Sequence, residues 1–302
     1  MSQTRWIIAG SRGQLGHALL RQLAADPGSE ICAAVDLPEL DVADPAAVAR
    51  LFEAQPAPPS VLVNAAALTQ VDRCEREPEA AYRANALAPG VLAEACAAAG
   101  TTLVHVSTDY VFPGDADRPY TEEDKPGPRS VYGRTKLAGE ERARAASDDL
   151  LLARTSWVFG QGRNFIAAIL AQAEARRRGE ASGPLRVVAD QRGCPTYAED
   201  LAEAIRGLLE ARARGLYHLA GGGVATWWDL ARATLDASGF EEMAVERIRT
   251  DQLDLDAPRP TWSVLDCSKA EALGVRLRDW RDALQAYLES PEAPRRAQAA
   301  DA

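Results

Sequence analysis

A chain of 302 residues, 47% hydrophobic and 26% charged, has the composition of a soluble globular protein with one large α/β domain or a domain and a half. Its 44 acidic residues outnumber 34 basic ones, and the net charge of −10 disfavours a nucleic-acid-binding protein. The sequence contains no apolar run approaching the roughly 20 residues of a membrane span, which disfavours a membrane protein.

Short apolar segments rich in β-branched residues alternate with segments of helical spacing. We predict strands near 5–9, 30–35, 61–64, 102–107, 150–155, 185–188 and 215–219. We predict helices between several of them, near 14–25, 45–54, 79–99, 132–146 and 197–211. Almost continuous apolar strands that alternate with helices indicate a parallel sheet covered on both faces. The predicted fold class is therefore α/β, with a doubly wound parallel sheet of the Rossmann type.

The alternation loosens after residue 156, where the predicted helices lie near 165–178, 226–238 and 279–289. We predict a dinucleotide-binding domain over residues 1–156, to which residues 185–220 return. A smaller, interleaved substrate-binding domain is predicted from residues 157–184 and 221–289. The tail over 290–302 is rich in Ala, Pro and Arg without periodicity, so we predict that it is disordered.

The five cysteines and three histidines are scattered, without a Cys-x-x-Cys pair or the spacing of a metal site. Dispersed cysteines are typical of reduced thiols in a cytosol. The first predicted strand is too short, and too soon followed by glycines, to be the core of a signal peptide. We therefore predict a cytoplasmic protein.

Three glycines spaced by two residues follow the first predicted strand and open the first helix. In this context Gly10 permits a tight turn, Gly13 lets the backbone approach a pyrophosphate, and Gly16 allows the helix to pack closely on the strand. The N-terminus of the helix then favours the anion. The predicted dinucleotide contacts in this loop are Gly10, Ser11, Arg12, Gly13, Gln14 and Leu15.

The ends of the next strands complete the predicted cofactor site. Asp36 ends the second strand, where a carboxylate can bind the ribose 2′-hydroxyl of NADH and would repel the 2′-phosphate of NADPH. Arg12 could offset that repulsion by pairing with the phosphate, so both cofactors stay open. Room for adenine and ribose is predicted beside Asp41, Val42, Ala65, Ala66 and Ala67, although Ala66 and Ala67 also suit plain tight packing.

A tyrosine and a lysine stand four residues apart on a predicted helix and therefore share one face. A tyrosine pKa of about 10 must fall by about 3 units, or about 4 kcal/mol, for proton exchange near neutrality, and the charge of Lys136 would favour this at Tyr132. Thr108, which ends the fourth strand, can hydrogen-bond a carbonyl oxygen as it becomes an alkoxide. Such a pair alone often marks only a solvated helix face. The glycine loop before it favours hydride transfer to or from a carbonyl.

Longer motifs extend this pattern along the chain. They are Gly-Gln-Leu-Gly (13–16), Leu-Asp-Val-Ala-Asp (40–44), Val-Asn-Ala-Ala-Ala (63–67), Ser-Thr-Asp-Tyr-Val-Phe (107–112), Val-Tyr-Gly-Arg-Thr-Lys-Leu-Ala-Gly-Glu (131–140), Arg-Thr-Ser-Trp-Val-Phe-Gly (154–160), Asn-Phe (164–165), Asp-Gln-Arg-Gly-Cys-Pro-Thr (190–196) and Gly-Leu-Tyr-His-Leu-Ala-Gly (215–221). With these motifs the chain resembles the dTDP-4-dehydrorhamnose reductase family, in the extended branch of the short-chain dehydrogenase/reductase superfamily. The resemblance covers nearly the whole sequence, from residue 5 to about residue 288.

The resemblance implies reduction of the C4 ketone of dTDP-4-dehydro-L-rhamnose to dTDP-L-rhamnose, with hydride from NADPH or NADH. It implies that Tyr132 protonates the alkoxide, that Lys136 binds the nicotinamide ribose and acidifies Tyr132, and that Thr108 positions the ketone. The residues it places beside the sugar nucleotide are Asp109, Tyr110, Trp157, Asn164, Gln191 and Arg259. A core position for Trp157 and a solvated loop position for Arg259 are the competing interpretations. The expected partner is a small-molecule dTDP-sugar, with no nucleic acid and no membrane.

The sequence also departs from the family pattern. Leu68 stands where the family usually has an aromatic residue or histidine, so a reductase of another nucleotide-linked 4-keto deoxysugar is the alternative. Some members bind magnesium at a dimer contact through a glutamate of the first helix. The segment 16–19 offers no carboxylate, so we predict no metal, and a homodimer is left open. A non-catalytic regulatory subunit on the same fold is disfavoured, because Thr108, Tyr132 and Lys136 are all present.

Overall fold

The computed structural model describes residues 3–294 and has a parallel sheet at its centre. The strands of the described residues, in chain order, are β1 (Thr4–Ala9), β2 (Ser29–Val35), β3 (Val61–Asn64), β4 (Thr102–Thr108), β5 (Leu150–Thr155), β6 (Val158–Phe159), β7 (Leu185–Val188), β8 (Arg192–Gly193), β9 (Thr196–Tyr197), β10 (Gly215–His218), β11 (Ala225–Thr226) and β12 (Val245–Ile248). The central sheet has six strands in the order β10-β5-β4-β3-β1-β2, all parallel. The order reverses between β1 and β3, and this is where a doubly wound sheet binds its ligand.

Helices cover both faces of this sheet. The α-helices among the described residues are α1 (Gln14–Ala25), α2 (Pro45–Glu53), α3 (Val71–Arg76), α4 (Pro78–Tyr82), α5 (Ala88–Ala99), α6 (Val131–Ala146), α7 (Phe165–Arg177), α8 (Ala198–Glu210), α9 (Trp227–Asp236), α10 (Ser268–Glu271) and α11 (Trp280–Glu289). Side chains alternate along β1, so Ile8 packs with α1 and α8 whereas Ile7 packs with α2 and α5. The predicted doubly wound α/β class is confirmed.

A second apolar core lies between α7, α9 and α11. Phe159, Leu170, Leu230 and Tyr287 are buried in it. Strand β7 was expected to return to the dinucleotide-binding domain, but it pairs in parallel with β12 and buries Leu185 in this second core. By contrast, β10 pairs with β5 in the central sheet, and α8 packs on that sheet in the same apolar cluster as α1.

The start of the predicted disordered tail forms a turn on the body of the protein. The Ser290 hydroxyl donates to the carbonyl of Tyr287 at 2.7 Å, and Glu292 forms an ion pair with Arg21 of α1. Residues 295–302, the rest of that predicted tail, lie outside the described residues. Within residues 3–294 no helix has the length and apolarity needed to cross a membrane.

The predicted helix over 79–99 is interrupted by one wide, π-helical turn at Arg83–Leu87. Pro89 has no N–H to donate to the carbonyl of Asn85 four residues earlier, so the regular ladder is broken there. The buried Asn85 side chain instead accepts from the backbone N–H of Leu68 at 2.8 Å and donates to its carbonyl at 3.0 Å. The wide turn therefore fixes the loop that follows β3.

Candidate active site

The glycine loop joins β1 to α1 with little free space. Gly10 has a φ of +79°, and a Cβ there would lie 2.5 Å from the backbone nitrogen of Ala66. A Cβ on Gly16 would lie 2.2 Å from the carbonyl oxygen of Gly10. Gly13 begins α1 without a side-chain cap, so the first N–H groups of the helix are left for an anion. These features fit the pyrophosphate of a dinucleotide.

A cavity of about 530 Å³ opens at the carboxyl ends of β1, β2 and β3. The predicted cofactor residues in its wall are Gly10, Arg12, Gly13, Asp36, Asp41, Val42, Ala65, Ala66 and Ala67. Ser11 is buried outside this wall, and its backbone N–H donates to the carbonyl of Val35 at 3.2 Å. Leu68 also lines this nucleotide cavity and packs in the apolar cluster that contains Tyr132. It therefore lies between the nucleotide cavity and the tyrosine.

Charged groups of both signs lie beside the glycine loop at the carboxyl end of β2. The Asp36 carboxylate accepts from the backbone N–H groups of Arg12 at 2.9 Å and Leu37 at 2.8 Å. The Arg12 guanidinium donates to the Leu37 carbonyl at 2.9 Å and pairs with Glu39. An ordered carboxylate and a nearby arginine can thus serve either cofactor.

A second cavity, of about 720 Å³, continues from the first and shares Arg12, Gly13, Ala65 and Ala67 with it. The other predicted site residues in the wall of this catalytic cavity are Gln14, Leu15, Thr108, Asp109, Tyr110, Tyr132, Lys136 and Trp157. Gln14 and Leu15 come from the first turn of α1, and Thr108 ends β4. The fold therefore brings the predicted nucleotide and carbonyl sites into one groove.

Helix α6 holds Tyr132 against the end of β4. The Ser130 hydroxyl caps the helix by accepting from the backbone N–H of Gly133 at 3.1 Å, and Glu75 accepts from Val131 N–H at 2.7 Å. A Cβ on Gly133 would lie 2.2 Å from the carbonyl oxygen of Tyr110, so only glycine allows this approach. The rings of Tyr110 and Tyr132 meet edge to face with centroids 5.5 Å apart.

Lys136 lies one turn further along α6 and is only 2% exposed. Its ammonium donates to the carbonyl of Val106 at 2.7 Å. Burial lowers the pKa of Lys136 to about 8, while the negative charge of Glu140 one turn later opposes that shift. Glu140 is itself fully buried and accepts from Arg154 at 2.9 and 2.7 Å and from Ser107 at 2.6 Å. The buried Glu140–Arg154 ion pair therefore lies one helical turn beyond Lys136.

Burial also sets the state of the tyrosine. It raises the pKa of Tyr132 above its usual value, opposed by a hydrogen bond with Thr108 and assisted by the charge of Asp109. The predicted acidification by Lys136 is therefore not found in the protein alone, because desolvation dominates and the ammonium is bound to Val106. The phenol is protonated at neutral pH, which is the form that a proton donor requires.

Two stacked tryptophans also line the catalytic cavity. The Trp157 and Trp227 rings lie 3.6 Å apart at an angle of 4°. Trp227 donates its indole N–H to the Gln191 side chain at 3.0 Å, and Gln191 donates to the Thr250 hydroxyl at 2.9 Å. Gln191 is therefore outside the cavity wall and holds a residue that lines it. The Trp157 ring packs so closely on Gly193 that a Cβ there would lie 2.5 Å away.

Two further predicted substrate residues, Asn164 and Arg259, do not line the cavity. The Asn164 amide caps α7, accepting from Ala167 N–H at 2.9 Å and donating to the Gly160 carbonyl at 2.6 Å and the Tyr287 hydroxyl at 2.9 Å. Arg259 pairs with Asp72 of α3 at 2.6 Å. Their polar groups are already bound within the protein, so the structure does not bring either to the substrate position.

The sequence did not predict several other residues of the cavity wall, among them Thr155, Gln161, Arg163 and Trp227. Trp227 begins α9 behind a Thr226–Asp229 capping box, a signal that locates a helix start but carries no sign of a ligand. Among the described residues, Gln14 Oε1, Asp109 Oδ2 and Thr155 Oγ1 are buried atoms of this wall without a hydrogen-bond partner. Such atoms fit a polar ligand in the cavity.

Residues 3–294 hold no cluster of three or more His, Cys, Asp or Glu side chains that could bind a metal ion. The catalytic cavity is surrounded by glycines and the N-terminus of α1 together with two indoles. The hydroxyls of Thr108 and Tyr132 lie in the same wall.

Comparison with known proteins gives the family. The model of the RmlD substrate binding domain matches residues 4–292. The chain is 42% identical to dTDP-4-dehydrorhamnose reductase of Mycolicibacterium smegmatis, over 93% of this chain and 84% of that protein. It is 41% identical to a probable dTDP-4,6-dihydroxy-2-methyloxan-3-one 4-ketoreductase of Streptomyces antibioticus, over 93% of each chain. The crystal structure of dTDP-4-dehydrorhamnose reductase from Bacillus anthracis in complex with NADP superposes with a TM-score of 0.86 at 30% identity, over 95% of this chain and 99% of the other. The chain therefore belongs to the RmlD substrate binding domain family.

Proposed function

We propose that the protein reduces the C4 ketone of dTDP-4-dehydro-L-rhamnose to dTDP-L-rhamnose with NADPH or NADH. The observation that carries this proposal is the meeting of Thr108, Tyr132 and Lys136 in a cavity that shares four wall residues with the nucleotide cavity. The reductase from Mycolicibacterium smegmatis supports the substrate, and the NADP complex from Bacillus anthracis supports the cofactor class.

The bound cofactor supplies the hydride that adds to the ketone carbon. Tyr132 gives its phenolic proton to the oxygen, which becomes the product hydroxyl. The raised pKa keeps this phenol protonated until an alkoxide develops beside it. Lys136, fixed at the Val106 carbonyl one helical turn from Tyr132, would bind the nicotinamide ribose. Thr108 hydrogen-bonds the reacting oxygen.

The remaining wall suits a sugar nucleotide. The stacked indoles of Trp157 and Trp227 offer a flat apolar surface for a sugar ring or a base. Arg163 lies at the same side of the cavity, where a guanidinium can pair with the diphosphate. Asn164, Gln191 and Arg259 act indirectly in this proposal, by holding the loops that carry the wall.

The direct test is turnover of dTDP-4-dehydro-L-rhamnose with NADPH and, separately, with NADH. We expect oxidation of at least one cofactor in step with the ketone consumed, and a product whose NMR spectrum is that of dTDP-L-rhamnose. Oxidation of neither cofactor in the presence of a correctly folded protein would overturn the proposal. Tyr132→Phe is the matched control, because it removes one oxygen at the reacting end of the cavity.

A second candidate is reduction of another dTDP-linked 4-keto deoxysugar. The 4-ketoreductase from Streptomyces antibioticus is nearly as similar to this chain as the Mycolicibacterium smegmatis reductase. The aliphatic Leu68 next to the Tyr132 cluster is the local feature that favours this alternative. A higher kcat/KM for a dTDP-4-keto sugar that lacks the 2-hydroxyl would select it, and Leu68→His should then shift the ratio of the two kcat/KM values.

A further inference from the structure

The Thr108 hydroxyl has no free hydrogen in the structure. It donates to Asp109 Oδ1 at 2.8 Å and accepts from the backbone N–H of Tyr110 at 3.2 Å. A hydroxyl has one hydrogen and two lone pairs, so its hydrogen and one lone pair are already used. While the hydrogen points to Asp109, Thr108 can only accept, and an alkoxide has no hydrogen to give.

We propose that Asp109 is a positioning residue that must be a neutral acid for Thr108 to turn its hydrogen towards the substrate oxygen. As a neutral acid, Asp109 donates its own hydrogen to Thr108 Oγ1, and Thr108 then donates to the ketone. This inference rests on the proposed ketone reduction and assigns a role to one residue of that site. No proton is consumed in the reorientation: Asp109 keeps its hydrogen, and the proton in the product comes from Tyr132.

The surroundings of Asp109 favour a neutral carboxyl. Its side chain is only 3% exposed, and Oδ2 is buried without a hydrogen-bond partner among the described residues. Burial raises the pKa of Asp109 to about 6, against the hydrogen bond from Thr108 that favours its charged form. A bound sugar nucleotide adds negative charge and excludes water from the same cavity, and both effects raise this pKa further.

The groups that face Asp109 come from several elements. Tyr132 and Lys136 belong to α6, Tyr110 follows Asp109 directly, and Cys194 lies in the loop before β9. The Arg259–Asp72 ion pair lies beyond Tyr110. Of these, only Lys136 and the ion pair carry charge at pH 6. The buried ammonium is directed at the Val106 carbonyl rather than at Asp109.

The proposal predicts a characteristic pH profile. For the free enzyme, kcat/KM should fall about tenfold per pH unit above the Asp109 pKa, because the fraction of neutral acid falls at that rate. The corresponding limb in kcat, which reports the substrate complex, should lie at higher pH. Asp109→Asn carries a permanent amide donor of similar shape. The ratio of kcat/KM at pH 5.5 to that at pH 7.5 should therefore fall to about 1 in this variant.

Thr108→Val provides the test that Asp109 acts through the hydroxyl. In this background Asp109→Asn should leave the shape of the pH profile unchanged, because there is no hydroxyl to orient. Two outcomes would overturn the proposal. In the first, Asp109→Asn lowers kcat/KM by the same factor at every pH, and kcat/KM still falls at high pH. In the second, Asp109→Asn alters the pH profile equally in the wild type and in Thr108→Val.

A second measurement needs no turnover and so separates this inference from the proposed function. Infrared spectroscopy of the free protein, with Asp109→Asn as the blank, follows the Asp109 carboxyl through its titration. Thr108→Val should raise its pKa by about one unit, because the charge-assisted bond that Thr108 donates to the carboxylate is stronger than the bond that the neutral acid donates to Thr108. An unchanged pKa rejects the inference even if the wild type is active, whereas an inactive wild type with the expected shift rejects only the proposed function.

Discussion

The two ends of the groove are built on different principles. The nucleotide end consists of glycines, alanines and the N-terminus of α1, and its shape comes from the backbone. The substrate end consists of side chains, above all Trp157 and Trp227, which segments 70 residues apart in the chain bring into contact. Backbone-built sites leave compact motifs in a sequence. Side-chain-built sites depend on tertiary contacts and leave almost none.

Between these ends, α6 carries Tyr132 and Lys136, which perform the chemistry in the proposed reduction. If the division is real, variants at each end should alter one binding constant and spare the other. Variants on α6 should change the chemical step and spare both.

The largest effect is expected for Tyr132→Phe. Loss of the proton donor should lower kcat by about 10²–10⁴-fold. The dissociation constant of NADPH should stay within about twofold, because the nucleotide end does not use the phenol oxygen. Stopped-flow absorbance measures the first quantity and fluorescence titration the second. Equal losses in both would show that the ends are not separable.

Lys136→Met tests whether the buried ammonium of Lys136 lowers the free energy of unfolding. The folded-state pKa of about 8 lies below the ordinary value of 10.5, so folding disfavours the ammonium by about 3 kcal/mol at neutral pH. Removing the charge while keeping the stem should raise the melting temperature by several degrees and abolish turnover. The sign also predicts that wild-type stability increases from pH 8 towards 10.5 as the folded protein loses this proton first.

A melting temperature that is lower in Lys136→Met than in the wild type would contradict this account. A lower melting temperature would mean that the hydrogen bond from Lys136 to the Val106 carbonyl stabilises the fold by more than the desolvation of the ammonium destabilises it. The pH series from 7.5 to 10, measured by calorimetry on both proteins, distinguishes the two, since only the wild type should change through Lys136.

Two glycine substitutions at the nucleotide end should have different effects, one on the free energy of unfolding and the other on NADPH binding. Gly16→Ala would place its Cβ 2.2 Å from a backbone carbonyl and should lower the free energy of unfolding by about 1–3 kcal/mol. At Gly13 the nearest such contact is 3.3 Å, so Gly13→Ala should be much less destabilising. It should nevertheless weaken NADPH binding by about tenfold, because the methyl group holds the pyrophosphate away from the helix.

Chemical denaturation and fluorescence titration check this pair of variants. A Gly13→Ala protein with unchanged NADPH affinity would show that the pyrophosphate does not approach this part of the loop.

The smallest effect is expected at the substrate end, for Trp227→Ala. Loss of one ring of the stack should raise KM for the sugar nucleotide by about five- to tenfold, in keeping with an aromatic contact of about 1 kcal/mol, and leave NADPH affinity unchanged. Its neighbour Trp228 bonds the Val245 carbonyl at 3.2 Å and stacks under Arg247 outside the cavity. Trp228→Ala is therefore the matched control, with lower stability and an unaltered KM.

The sequence predicted most of the fold because its strands are short apolar runs bounded by turns. It could not assign β7, since the apolar run at 185–188 fits any parallel sheet and its partner β12 lies 60 residues further along. The nucleotide end followed from local spacing. At the substrate end, the sequence around Asn164 does not distinguish a sugar contact from a helix cap. The hydrogen bonds of its side chain to Ala167 and Tyr287 show that it caps α7. Trp227 has no motif at all.

The setting of α6 has a consequence for how the family could diversify. The helix is fixed at its start by Ser130 and Glu75, along its length by Gly133 and Gly139 packed on neighbouring carbonyls, and beyond Lys136 by the Glu140–Arg154 pair. Its amides should be among the slowest in the molecule to exchange with deuterium. A donor held so firmly tolerates change in the opposite wall, where loops meet the sugar. Preference for a new sugar can therefore evolve at that wall while the proton-transfer geometry is inherited intact.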